Sequence, residues 1–185
     1  MNRQVDCVVT GSFDPFTSGH FHLVEKALEY FDHAYILIAD NPNKKYMFTV
    51  HERQAIIEDA FDRPMYKGKI IVCQWHRQTV DWCEASGVYT IVRGIRDAND
   101  MAYELNMAHV NRMLGRDKHG INVDTIFIPS YYDDTNISSS LVRMSINSHD
   151  YVWSNYVVNP KFITDIISNH CNEDIKKQCR EMVKA

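Results

Sequence analysis

The chain has no CxxC pair and no Cys/His spacing of the kind that holds zinc. Its five cysteines, Cys7, Cys73, Cys83, Cys171 and Cys179, are scattered, which excludes a zinc ribbon and leaves reduced thiols in a cytoplasmic protein as the expectation. No run approaches the ~20 apolar residues of a membrane span. The polar amino terminus, Met1 to Asp6, lacks the basic and hydrophobic regions of a signal peptide. Positive charge is not in excess either. Twenty Lys and Arg against twenty-four Asp and Glu leave a formal charge of −4, so no general attraction to nucleic acid or to an anionic membrane is implied. Any cations that bind phosphate must be placed locally. There is no internal repeat and no low-complexity segment, and 185 residues suit one compact domain.

What is present alternates between two periodicities. Cys7 to Thr10 is short, apolar and β-branched, and Gly11 follows, which predicts a buried strand ending in a turn. From Gly19, the residues Phe21, Leu23, Val24, Ala27, Leu28 and Phe31 recur at helical spacing. The pattern repeats with a strand at Ala34 to Ala39, a polar loop at Asp40 to Tyr46 and a helix at Thr49 to Phe61 opened by a Thr49/Glu52 capping box. Further strands are predicted at Ile70 to Cys73, Thr90 to Val92 and Thr125 to Ile128. Helices are predicted at Val80 to Ala85, closed by Gly87, and at Asp100 to Leu114, followed by a polar loop at Gly115 to Asn122. Beyond Ser145 the pattern weakens into a polar stretch at Ser148 to Asn155 and helices at Lys161 to Asn169 and Asn172 to Lys184. This alternation predicts an α/β fold of Rossmann-like type, with a parallel sheet and helices on both faces. Ligands bind such sheets at the carboxyl ends of the strands.

The informative loops occupy that position. Gly11-Ser12-Phe13-Asp14-Pro15-Phe16-Thr17-Ser18-Gly19-His20 joins the first strand to the first helix. Its glycines let backbone approach a ligand, and the helix start offers free N–H groups to an anion. His20 falls on the first turn, where it could donate a hydrogen bond to a phosphoryl oxygen; the bland alternative is a surface histidine. Lys44-Lys45 follows the second strand, and Arg93-Gly94-Ile95-Arg96 follows another. A solvated loop and a helix-flanking charge pair would explain either alone. Four cations at strand ends in a chain of net negative charge suggest instead that several phosphates are bound together. In Asn136-Ile137-Ser138-Ser139-Ser140-Leu141-Val142-Arg143, one serine suffices as a helix cap, and three suggest a neutral phosphate cradle.

The segments GSFDPFTSGH, NPNKKYMFTVHER, IVRGIRDANDMAYELNMAHVNR and ISSSLVR resemble those of bacterial phosphopantetheine adenylyltransferases, within the TxGH/HxGH nucleotidyltransferase superfamily. The similarity runs with gaps from about Asp6 to Ile167. TSGH alone marks the superfamily, whereas RGIRDANDMAYELNMAHVNR with ISSSLV marks this branch. The resemblance implies a single nucleotidyltransferase domain over residues 1–185, with a helical tail at about 170–185 that has no counterpart. It implies that AMP passes from ATP to 4′-phosphopantetheine, giving dephospho-coenzyme A and pyrophosphate. The attacking phosphate is already an anion, so no general base is required, and positioning with charge stabilisation should supply most of the rate.

Carried over by the same resemblance, His20 would stabilise the transition state and Ser12 would touch both substrates. Lys44 and Arg93 would hold the acceptor phosphate, and Thr79 would face the pantetheine arm. Phe13, Gly94, Ile95, Arg96, Glu104, Thr135, Asn136, Ile137, Ser138, Ser139 and Ser140 would surround ATP. Mg²⁺ would be held by the phosphates, with no protein ligand. The family's hexameric habit implies a homo-oligomer. Four features depart from the family: Ser12 replaces Thr, Tyr46 replaces a common proline, and Asp97 sets a carboxylate beside the arginines, where it is expected to weaken ATP binding. The segment from Gln74 to Val80 is more polar than usual. Alternatives are a sister enzyme acting on another phosphate such as nicotinamide mononucleotide, or one using CTP with a phosphoalcohol, against which NISSSLVR argues. Others are a non-catalytic nucleotide or coenzyme A sensor and, most blandly, a structural domain or nucleic-acid binder. The last would need a broad basic stripe interleaved with aromatic residues, which the chain lacks.

Overall fold

The computed structural model describes residues 5–40 and 44–170. Strands β1 (Asp6–Gly11), β2 (His33–Ala39), β3 (Ile70–Trp75), β4 (Thr90–Ile95) and β5 (Asp124–Pro129) form one parallel sheet in the order β3-β2-β1-β4-β5. Between them run α1 (Ser18–Ala27), α2 (Val50–Ala60), α3 (Thr79–Ser86) and α4 (Ala98–Leu114), and α5 (Ser139–Asn147) follows β5. The first three strands step outward from β1, after which β4 pairs with the other edge of β1. The order therefore reverses between β1 and β4, and this opens a crevice at their carboxyl ends.

Strand side chains alternate between two cores because the pleat has a period of two. Cys7, Val9, Ile36, Ile38 and Val92 face one core with Val24, Ile57 and Val142, while Val8, Leu37 and Ile91 face the other with Val80, Trp82 and Cys83. Burial on both faces explains why these strands read as apolar runs rather than alternating ones.

The predicted elements are found within a few residues, with two differences. The expected polar loop at Gly115 to Asn122 begins as a π-helical turn, Gly115–His119, that extends α4 and ends where Gly120 takes φ +69°. A reason is visible in its contacts: Lys118 Nζ and His119 Nε2 lie 2.6 and 2.8 Å from Oδ1 of the buried Asp81 on α3, so the wider turn brings consecutive residues onto one carboxylate. The stretch Ser148 to Asn155, read as polar, runs into a 3-10 segment at Tyr151–Tyr156 that buries Trp153. Residues 160–170 are helical, and Ile163 is fully buried in the main core. The helix expected at Asn172 to Lys184 lies outside the described residues.

Candidate active site

The crevice between β1 and β4 opens into a cavity of about 490 Å³. Its walls come from the β1–α1 turn, Lys44 to Tyr46, the end of β4 with the first turns of α4, and the start of α5. The glycine turn, the lysine loop, the arginine pair and the serine trio therefore face one space. Among the residues singled out from the sequence, Ser12, Phe13, His20, Lys44, Arg93, Gly94, Arg96, Glu104, Ile137, Ser138, Ser139 and Ser140 line it. Ile95, Thr135 and Asn136 are not on its wall. Thr79 lines a smaller adjoining groove that shares Thr10, Arg93 and Glu104 with the cavity.

The β1–α1 turn is tightly folded. A Cβ built on Gly11 would stand 2.9 Å from the ring of buried Phe13, so a larger residue at position 11 would have to displace that ring, and Phe13 itself has φ +50°. Thr17 then caps α1 and His20 completes a capping box, a role normally filled by Glu or Gln. Nδ1 of His20 lies 3.0 Å from the Thr17 backbone nitrogen and 2.9 Å from Thr17 Oγ1. A backbone N–H can only donate, so Nδ1 holds the lone pair and Nε2 carries the ring proton. The ring also packs edge-on to Phe13 and stacks on Phe16. Burial, followed by the neighbouring charges of Arg93 and Arg96, lowers its pKa from 6.5 to about 4. His20 is thus a neutral, oriented hydrogen-bond donor at pH 7.

The cations are less exposed than their sequence suggests. Glu104, buried on α4, accepts from both Nε and Nη2 of Arg93, the former at 2.8 Å, and Arg93 also donates to the Thr10 carbonyl. Arg96 is held by Asp100 one turn along, at 2.7 and 3.1 Å. Asp97, expected to oppose the arginines, instead caps α4, its carboxylate accepting from the backbone N–H groups of Asn99 and Asp100. The carboxylate that meets Arg96 is Asp100. Five cationic side chains (Lys44, Lys45, Arg93, Arg96 and Arg143) and four carboxylates (Asp14, Asp100, Glu104 and Asp134) line the cavity, so its formal excess is small. Lys44 and Lys45 make no ion pair among the described residues.

The serine trio divides its tasks. Ser138 caps α5 through Leu141 N–H, Ser139 Oγ donates to the Pro15 carbonyl at 2.8 Å, and Ser140 Oγ accepts from Arg143 at 3.1 Å. All three hydroxyls thus have protein partners that hold α5 and its side chains, rather than standing idle for a ligand. Three contributors escaped the sequence reading. Arg143 reaches back to the Asp14 carbonyl, Asp14 accepts from the backbone N–H groups of Met47 and Phe48, and buried Asp134 pairs with His22 at 2.6 Å. Asp14 and Arg143 lie inside the quoted motifs, but their roles depend on contacts across 33 to 129 residues that no local pattern reveals.

The sequence matches the cytidylyltransferase-like family over residues 8–145. It is 37% identical over 137 residues to the phosphopantetheine adenylyltransferase of Frankia alni, a match that covers 74% of this chain and 81% of the relative. It is 36% identical over 146 residues to that of Flavobacterium psychrophilum, covering 78% and 90%. Among solved structures, the Plasmodium falciparum nicotinic acid mononucleotide adenylyltransferase complexed with NaAD superposes with a TM-score of 0.66. It is 18% identical, and the match covers 90% of this chain and 96% of that one. At that identity the likeness concerns the fold.

Proposed function

The chain belongs to the cytidylyltransferase-like family, and on that premise we propose that it transfers the adenylyl group of ATP to 4′-phosphopantetheine, releasing dephospho-coenzyme A and pyrophosphate. The observation that carries the reading is the meeting of four loops, distant in sequence, around one cavity at the sheet's topological switch point. The acceptor phosphate, already anionic, attacks the α-phosphorus in line while the bond to pyrophosphate breaks. No proton has to be removed to make the nucleophile, so the protein's part is to hold two anions together and to meet charge on the phosphoryl oxygens.

In this reading Lys44 and Arg93 hold the acceptor phosphate beside Ser12, and Thr79 borders the path of the pantetheine arm. His20 donates from Nε2 to a non-bridging oxygen of the α-phosphate; being neutral, it gives a hydrogen bond without giving up its proton. Phe13, Gly94, Arg96 and Glu104 flank the nucleotide, and Ile137, Ser138, Ser139 and Ser140 close around it, while Ile95, Thr135 and Asn136, off the cavity wall, are given no contact with it. Glu104 acts through Arg93, fixing the guanidinium in one orientation. Mg²⁺, a hard cation that prefers oxygen, suits this cavity as a phosphate-bound ion. Asp14, Asp100, Glu104 and Asp134 are each engaged by protein donors, and no cluster of three potential ligands occurs among the described residues. When bound, it would offset the charge of the triphosphate.

Self-assembly is part of the same proposal. Helix α4 buries Glu104 alone among its 17 residues and leaves Met101 and Leu105, one turn apart on the same face, exposed, apolar side chains suited to contact with another copy of the chain. A cytoplasmic setting is supported by free thiols at Cys7, Cys73 and Cys83, and no helix among the described residues is long and apolar enough to cross a membrane. The polar segment beside Thr79, with His76 and Arg77 exposed, favours one second reading, an acceptor with a more polar arm.

The test is pyrophosphate release from Mg²⁺ and ATP with a panel of 4′-phosphopantetheine, nicotinamide mononucleotide and no acceptor. Release with 4′-phosphopantetheine is expected. Release only with another phosphate would move the assignment to a sister enzyme, and no release with any would overturn it.

A further inference from the structure

Arg53, on α2, is the largest fully buried side chain among the described residues, at 1% exposure. Taking a guanidinium out of water is costly unless its donors are satisfied. Here they are, and by three separate segments of the cavity's frame. Nη1 donates to the Ser12 carbonyl at 2.8 Å, in the β1–α1 turn. Nη2 donates to Asp40 Oδ1 at 2.6 Å, just after β2. Nε donates to the Phe48 carbonyl at 3.2 Å, at the far end of the loop that carries Lys44 and Lys45. The guanidinium also lies over the Tyr46 ring, 4.1 Å from its centroid, and Tyr46 lines the cavity. Arg53 itself does not line the cavity.

We propose that Arg53 is a positioning residue for catalysis, setting the spacing between Ser12 in the nucleotide turn and the Lys44–Lys45 loop that receives the acceptor. This rests on the function proposed above. Two loops that hold different reactants must stand at a fixed separation for in-line attack, and small misplacement is costly in rate. A planar fork reaching both loops and the intervening strand end meets that need. Lysine, with one nitrogen on a flexible stem, cannot reproduce it. Asp14 adds a second tie between the same two loops through Met47 and Phe48 N–H, which keeps the lysine loop attached when the guanidinium is lost.

The test compares Arg53→Lys and Asp40→Asn with the wild type by steady-state kinetics, thermal melting and separate measurements of ATP affinity. Positioning predicts that kcat at saturating substrates falls about tenfold or more in Arg53→Lys, at a temperature where melting shows the variant fully folded, with ATP affinity changed much less. Asp40→Asn, which leaves the guanidinium in place with one weakened partner, should give a smaller fall in kcat. Should Arg53→Lys fail to fold, Asp40→Asn carries the test on its own: kcat equal to wild type would overturn the proposal. A folded Arg53→Lys with wild-type kcat and only a lower melting temperature would also overturn it, since that is a purely structural role. Turnover of 4′-phosphopantetheine by the wild type separates the two ideas: its absence would defeat the functional reading, and its presence beside an unaffected Arg53→Lys would defeat this one.

Discussion

The state of His20 can be tested apart from turnover. Its Nδ1 accepts from the Thr17 backbone, so adding a proton there sets two N–H groups against each other. Burial and the charges of Arg93 and Arg96 oppose the proton further, bringing the pKa to about 4. In the unfolded chain the ring titrates near 6.5. The unfolded state therefore takes up a proton first as pH falls, and stability contributed by this residue is fully present above 6.5 and lost progressively as pH drops toward 4. Over that window the loss should be about 3 kcal/mol at most, from 1.36 kcal/mol per decade. Urea denaturation of wild type and His20→Asn between pH 4 and 8 isolates the effect, because the difference between the two should shrink across the window. The ring resonances should show one species protonated at Nε2, unchanged down to about pH 5. An inflection near 6.5, or a proton on Nδ1 at pH 7, would refute both the capping role and the neutral-donor role.

Replacing His20 by Ala removes the proposed transition-state donor and should cut kcat by about 10²-fold or more, read by pyrophosphate release. Glu104→Gln should weaken the hold on Arg93, lowering stability by about 1–3 kcal/mol in urea and kcat/KM by about tenfold or more. Lys44→Ala should leave the melting temperature within error, since Lys44 makes no ion pair among the described residues, while raising the acceptor KM about tenfold and lessening its salt dependence. Ile163→Ala, in the helical segment at residues 160–170, should cost about 2–5 kcal/mol with little change in KM, because that side chain is fully buried in the main core.

The sheet was legible because burial on both faces writes itself locally, as runs such as Cys7 to Thr10 and Ala34 to Ala39 flanked by turns. The four cavity loops were legible for a related reason. Function needs glycine, paired cations and clustered hydroxyls at strand ends, and these stand out against an apolar background. What could not be read were partners. Arg93 and Arg96 look like free charges in the sequence, and only the fold shows Glu104 and Asp100 holding them. Asp97 looked like their neighbour because it is adjacent in the chain, yet helix geometry turns its carboxylate to the N-terminus of α4. His20 gave no sign of being a cap, since histidine rarely fills that place, and nothing local in the sequence singles out Arg53, although it is buried. Trp153 was hidden in a polar stretch because a 3-10 segment has neither of the two periodicities sought.

The central claim is that one cavity holds both reactants for direct transfer. A crystal structure with an α,β-methylene analogue of ATP and 4′-phosphopantetheine tests it most directly. The account predicts the acceptor phosphate against Lys44 and Arg93, the triphosphate against His20 and the start of α5, and a line from the acceptor oxygen through the α-phosphorus to the bridging carbon. Reactants bound on separate surfaces, or an acceptor phosphate on the far side of Arg93 from His20, would contradict it.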